Sequence, residues 1–304
     1  MGIENAKIVV PARSKGFLNR IRILLFMLRR RRPSAVTHIT GDIYFSGLAA
    51  RGPTVITVHD LEMLGRARGL KKLLLQKLWI DWPCRKADAI TVVSNKSRDR
   101  LLETCPTLSR DKIHTIPNSI SEAHKPDPKP FPTGSFNVLQ VGVKPNKNVV
   151  RLIQSLSGIS CTLTVVGKEN RELREIAEQN GVELDFRVNL SAEEMLQAYK
   201  DCDLLAFASL EEGFGLPIIE AQSIGRPVLT SNISSMPEVA GRGAVLVDPY
   251  DVDSIRAGVT RISTDGALRQ RLIRAGWENA ARFDRRKIAE QYLAVYRSIH
   301  LAQR

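Results

Sequence analysis

Residues Asp203–Ser231 read DLLAFASLEEGFGLPIIEAQSIGRPVLTS, and this stretch decides the fold. DLLAFAS and PVLTS are short apolar runs of the kind that form strands buried on both faces. Between them, Gly213 and Gly215 do not suit a helix interior, whereas Pro217 suits a first helical turn. Glu212 therefore falls on a loop and Glu220 one turn into the following helix. Strand, glycine loop, helix and strand in this order belong to a parallel α/β sheet, whose ligands sit beyond the carboxyl ends of the strands.

The same alternation extends in both directions. FNVLQVG (136–142), CTLTVVG (161–167), LDFRV (184–188) and AVLV (244–247) complete one set of strands, with helical stretches between most of them. AVTHIT (35–40), TVITVH (54–59), DAITVV (88–93) and KIHTIP (112–117) form a second set. Between the sets runs KPDPKPFPTG (125–134), where four prolines preclude regular structure. The predicted organisation is a domain over 1–124, a linker at 125–134 and a second domain over 135–304, each domain a doubly wound parallel sheet.

The 304-residue chain is 43% hydrophobic and 25% charged, ordinary globular composition for about two domains. Mean hydropathy is −0.14, and no apolar run approaches the ~20 residues of a membrane-spanning helix. The opening MGIENAKIVVPARSKG lacks the order of a secretory signal, so a cytoplasmic location is expected. Cysteines 84, 105, 161 and 202 match neither a disulfide framework nor zinc-ligand spacing and are expected to be reduced and buried. The net charge of +13 lies entirely in residues 1–126, with 23 Lys and Arg against 10 Asp and Glu, while the remainder balances 22 against 22. Such asymmetry implies a polyanionic partner for the first half, nucleic acid or an anionic membrane surface.

Two loops carry the chemistry. Glycines flanking Phe214 leave backbone N–H groups at a helix N-terminus, a suitable cradle for sugar or phosphate oxygens, although a capped surface helix would show the same spacing. After FNVLQVG comes VKPNKNVVRLIQSL, in which Asn146 or Asn148 is placed to cap a helix and Lys147 lies at its start. An ammonium and a helix dipole together favour a diphosphate. Asp201/Asp203 and Asp251/Asp253 are Asp-x-Asp patterns, better explained by their place before a buried strand and by helix capping than by metal binding.

Taken together, Glu212 and Glu220 with EGFGLP, GRPV and PEVAG resemble the donor-site signature of glycosyltransferase family 4, and the resemblance covers nearly all of 136–300. It implies a GT-B fold of two Rossmann-like domains facing a cleft, and a retaining, metal-independent enzyme. The implied substrates are a nucleotide-diphosphate sugar and a glycan or lipid-linked acceptor, with a mannose- or glucose-type hexose transferred in surface polysaccharide or glycolipid synthesis. Carried over, the family's roles put Glu212 on the donor sugar hydroxyls, Glu220 on the ribose, the amides of Gly213, Phe214 and Gly215 around the sugar, and Lys147 on the donor phosphates. Many members place an Arg directly after the glycine that ends this strand, but here Gly142 is followed by Val143 and Lys144, which makes Lys144 the candidate substitute. His59, in TVITVHD, matches the acceptor-side histidine of the family. A nucleotide-sugar epimerase of the same fold, or an inactive relative that binds membranes or polyanions, are the alternative readings.

In the first half, FLNRIRILLFMLRRRR (17–32) sets Phe17, Ile21, Leu24, Leu25 and Leu28 on a face suited to docking on the sheet. Ile23, Phe26 and Met27 then fall among Arg22 and Arg30, the pattern of an interfacial helix; the alternative is a solvated face over a broad core stripe. No stacking signature for nucleic acid is present, so a membrane surface is the favoured anionic partner. The histidine strand arrives early, with only IVVPARSKGF ahead of it, so the first βα unit of the family is expected to be absent or diverged.

Overall fold

The computed structural model describes residues 6–12, 16–29, 35–61 and 69–301. The ten strands among the described residues lie where the strand-like runs predict them: β1 (Thr37–Ile39), β2 (Thr54–Val58), β3 (Ala89–Val92), β4 (Ile113–Thr115), β5 (Phe136–Val141), β6 (Cys161–Val166), β7 (Glu183–Arg187), β8 (Leu204–Phe207), β9 (Val228–Ser231) and β10 (Ala244–Val247). They form two all-parallel sheets.

The first sheet is β1-β2-β3-β4, within a compact unit of Met1–Ile116 and Glu290–Arg304. β2 and β3 are buried along their whole length, as central strands covered on both faces must be. The second sheet is β10-β9-β8-β5-β6-β7, within the unit Pro117–Ala289. Here the chain leaves β5 toward β6 and β7 on one side, then returns to build β8, β9 and β10 on the other. The reversal between β5 and β8 is a topological switch point, where the loops beyond the strands part and leave a crevice. β7 departs furthest from a buried, apolar strand: it is an edge with no buried residue, and it carries Glu183, Asp185 and Arg187.

The first unit runs to Ile116 and the second begins at Pro117, whereas the sequence suggests a linker at 125–134. The proline-rich segment instead packs as a strap on the second unit, because its side chains and backbone find partners there. Asp127 N–H donates to Ile224 O (2.9 Å), Lys129 pairs with Asp203 (2.8 Å), and Phe131 packs against Phe136 with Arg269 over its ring.

The helix Phe17–Arg29 requires a correction of face. Ile23, read as outward, is fully buried in the first unit's core, and Leu24 and Met27 pack against it, while Leu18, Ile21 and Leu25 are exposed. The core stripe is thus rotated from the predicted one, since a helix apolar on most sides gives periodicity little to discriminate. Arg30 and the rest of the arginine run at 30–32 lie outside the described residues. All four cysteines are free and buried, and burial pushes their thiols up, to about 11 for Cys105 and Cys161 and about 12 for Cys202.

Candidate active site

β8 lies between β5 and β9, so the loops beyond these three strands are neighbours. The loop after β5 contributes Lys147, the loop after β8 Glu212, and the loop after β9 the pair Ser234 and Ser235.

β5 is followed by Gly142, whose φ of +92° favours glycine. A Cβ there would lie 3.0 Å from Lys147 Cε and 3.2 Å from its Cγ, so the glycine makes room for the lysine stem. Lys147 closes the short 3-10 turn Pro145–Lys147 and directs its ammonium back over the sheet. Nζ lies 2.7 Å from Glu212 Oε1 and 4.6 Å from the centroid of the Phe207 ring. Both side chains are less than a fifth exposed, so water screens this pair weakly.

The two loops are laced together by backbone groups as well. Leu210 N–H donates to Asn146 O (2.8 Å), and Asn146 Nδ2 donates to Glu211 O (2.9 Å). Asn148 occupies the N-cap position with φ +58°, but its side chain does not cap the helix. Its amide donates to Ala208 O and Pro249 O, and so ties the loop after β5 to the end of β8. Val143, standing where the family resemblance leads to an Arg, packs toward Gly167 and the core, and Lys144 is exposed.

Glu212 is fixed by its backbone. Its N–H donates to Ser234 Oγ (3.1 Å), and its carbonyl accepts from Ser234 and Ser235 hydroxyls, each at 3.0 Å. Ser235 Oγ also lies 2.8 Å from Phe214 O. Ser234 adopts φ +61°, uncommon for a residue with a side chain. These serines carry no sequence signal of their own, since their partners are backbone atoms twenty residues away. The segment SNISSMPEVAG was informative only as a family motif.

Beyond Gly213, Phe214 buries its ring edge-on against Phe283 (5.6 Å), and Gly215 at φ +108° opens the helix Leu216–Ile224 with Pro217 in its first turn. Glu220 lies on that helix, and its Oε2 accepts a hydrogen bond from Tyr199 Oη at 2.6 Å. Gly142, Lys147 and Glu212 are therefore brought together directly, and Gly213, Phe214 and Gly215 continue the same loop into the helix bearing Glu220.

His59 belongs to the other unit. At the carboxyl end of β2 its Nε2 donates to Thr40 O (2.9 Å), and its N–H donates to Tyr44 Oη (3.3 Å). In each Asp-x-Asp pair one residue has a structural role. Asp203 pairs with Lys129 and accepts from Asn137 N–H, and Asp251 caps the helix Val252–Thr264. Ser94 likewise caps the helix Asn95–Thr104.

Two parallel-sheet α/β units, with a lysine and a glutamate meeting at a switch point, define a protein of the GT-B class. The family pattern described as Glycosyl transferases group 1 matches residues 122–278 and that described as Glycosyltransferase Family 4 matches residues 4–124, and the chain belongs to this family. It is 27% identical over 258 residues to a serotype-specific mannosyltransferase, WbdA, of Escherichia coli, across 76% of this chain and 31% of that protein. It is 26% identical to the alpha-maltose-1-phosphate synthase of Mycolicibacterium smegmatis, across 87% of this chain and 80% of the relative. The chain spans about a third of the length of the mannosyltransferases it matches. Among solved structures, sucrose-phosphate synthase from Thermosynechococcus elongatus superposes with a TM-score of 0.78 at 20% identity, covering 95% of this chain and 80% of that one. Anabaena HepE in complex with UDP and glucose gives 0.76 at 17% identity, covering 92% and 82%.

Proposed function

We propose that the chain is a retaining glycosyltransferase that moves a mannose- or glucose-type hexose from a nucleotide-diphosphate sugar to a glycan or lipid-linked acceptor in polysaccharide synthesis. The Lys147–Glu212 pair beneath the glycine loop is the observation that carries this reading. A diphosphate entering there competes for the ammonium, and as Lys147 turns to it the Glu212 carboxylate becomes available to accept hydrogen bonds from sugar hydroxyls. Amides of Gly213, Phe214 and Gly215 would surround the sugar, Gly142 keeps the approach open, Lys144 is at hand for the phosphates, and Glu220 would receive the ribose. As the C1–phosphate bond breaks, Lys147 and the dipole of the Leu216–Ile224 helix offset the charge developing on the leaving diphosphate, with no metal required. The acceptor hydroxyl forms the new bond to C1 on the face the phosphate leaves and passes its proton to that phosphate. His59 is assigned to the acceptor side, as the family resemblance implies. The names of the relatives and the nucleotide and sugar bound in HepE support this choice over an epimerase or an inactive relative.

A panel of UDP-, GDP- and ADP-sugars, followed by NMR of the product, tests the reading. Binding of one donor, transfer with retention, and activity that survives EDTA are expected, whereas inversion or epimerised donor without transfer would refute it. Lys147→Ala is expected to weaken that donor about ten- to a hundredfold, since a charge-assisted hydrogen bond contributes roughly 1.5–3 kcal/mol.

The acceptor side is proposed to work at an anionic membrane surface. Leu18, Ile21 and Leu25 form an exposed ridge beside the exposed Arg22 and Arg29, and Leu74, Leu78 and Trp82 form a second with Lys77 and Arg85. Ridges of this kind among cations, in the half that holds the whole +13 excess, suit an anionic lipid interface, where each basic side chain contributes about 1 kcal/mol. Among the described residues no helix is long and apolar enough to cross a membrane. Sedimentation with phosphatidylglycerol and phosphatidylcholine vesicles checks it: preference for the anionic vesicles, weakened by salt, is expected, and equal negligible binding would refute it.

A further inference from the structure

Tyr199 lies on the helix Ala192–Asp201, which opens with a complete capping box between Ser191 and Glu194, and it is the largest fully buried side chain of the chain's described residues. A tyrosine in such a place needs a hydrogen-bond partner for its hydroxyl, and a phenylalanine would fill the same volume without that requirement. The partner is Glu220, with Oη 2.6 Å from Oε2, and the edge of the phenol ring is closed off by His124 at 5.9 Å between centroids. Burial, and then the neighbouring Glu220 carboxylate, push the phenol far above its ordinary range, so the hydroxyl stays protonated and must be the donor. One oxygen of a half-buried carboxylate is thereby committed to the protein, which leaves its second oxygen for a ligand.

We infer that Tyr199 is a positioning residue of the donor site, holding Glu220 Oε2 so that Oε1 meets the vicinal hydroxyls of a nucleoside diphosphate's ribose. This rests on the donor-site reading above. A carboxylate free to rotate would spend orientation entropy on binding; one already oriented by a buried phenol does not.

Calorimetric binding of UDP and GDP and their 2′,3′-dideoxy analogues tests the inference, using the intact chain, Tyr199→Phe, Glu220→Ala and the double variant. The unmodified protein is expected to bind one nucleotide and to lose about tenfold on removal of its ribose hydroxyls. Tyr199→Phe is expected to bind the natural nucleotide about tenfold more weakly and to distinguish it from the dideoxy form by no more than about twofold. The double variant is expected to be no worse than Glu220→Ala, because Tyr199 acts through Glu220. If Tyr199→Phe lowers the melting temperature but retains the full preference for the ribose hydroxyls, the tyrosine is only structural and the inference is overturned, as it is if the two losses add. The donor-site reading fails separately: no nucleotide bound by the unmodified protein, or full hydroxyl preference in Glu220→Ala, would refute the assignment of Glu220 itself.

Discussion

The loop Leu210–Gly215 and the helix Phe17–Arg29 are held by different physics. The loop is gripped through polar atoms: Asn146 on its entry, Ser234 and Ser235 on Glu212, and Lys147 on the carboxylate, each at a fixed distance. The helix is seated by shape, with Ile23 inserted, Leu24 and Met27 beside it, and Arg20 lying 4.2 Å over the Trp79 ring. Hydrogen bonds are short-ranged and directional, so a polar lace fixes one geometry to about an ångström, which suits a site that must match reacting atoms. Packing of an apolar helix specifies its seat through the volume of a few side chains, which leaves the outer face open to serve a surface.

The sharpest way to break this comparison is to exchange the two faces of the helix. Ile23→Ala removes a fully buried side chain and leaves a cavity, so a loss of about 2–5 kcal/mol in unfolding free energy is expected. Leu25→Ala, on the exposed ridge, should stay within about 0.5 kcal/mol. Urea titrations of the two variants compare them directly, and a larger loss for Leu25→Ala than for Ile23→Ala would return the helix to the orientation its sequence pattern suggests.

A second prediction concerns a polar chain within the unit that the helix belongs to. Tyr296 Oη lies 2.6 Å from His38 Nδ1, His38 Nε2 lies 2.7 Å from Thr57 Oγ1, and Thr57 Oγ1 lies 2.6 Å from Thr91 Oγ1. Burial, and then the nearby His59, lower His38 from the ordinary 6.5 to about 4. In the folded protein His38 is therefore neutral between these values, while in the unfolded chain it takes up a proton. Folding stability should be unaffected by this group above pH 6.5 and fall steadily as the pH drops from 6.5 to about 4, by roughly 3 kcal/mol in all. Chemical denaturation across that range, with His38→Gln as the reference, measures it. A variant with the same pH slope as the unmodified protein would contradict the assignment.

Such contrasts explain what the sequence made legible. The strands among the described residues could be read, most of them because Val-, Ile- and Leu-rich runs bounded by glycine and proline leave a parallel sheet few alternatives. Gly142, Gly215 and Pro217 were readable for the same reason, since their backbone constraints are local. The rotation of the first helix was hidden because Phe17–Arg29 is apolar on most of its circumference, and the strap at 125–134 because proline spacing says nothing of where Asp127, Lys129 and Phe131 will find partners. Tyr199, Ser234 and Ser235 were hidden more deeply. Their roles lie in contacts across 21 to 23 residues of chain, and no periodicity records them.

The smallest expected effect tests whether the loop's lace acts as a unit. Ser235 is fully buried, and its hydroxyl reaches two carbonyls, Glu212 O at 3.0 Å and Phe214 O at 2.8 Å, though it carries one proton for both. Ser234 also donates to Glu212 O, so Ser235→Ala leaves that carbonyl its Ser234 partner and takes the Ser235 hydroxyl from Phe214 O. The expected cost in unfolding free energy is about 1 kcal/mol, at the modest end for a buried hydrogen bond because half of the grip survives. Donor affinity should fall by about three- to fivefold, less than for Lys147→Ala, since the loop drifts while the charge remains in place. If Ser235→Ala instead weakened the donor as much as removal of the lysine does, the loop would depend on a single hydroxyl, and the ammonium would count for less than its place beside Glu212 indicates.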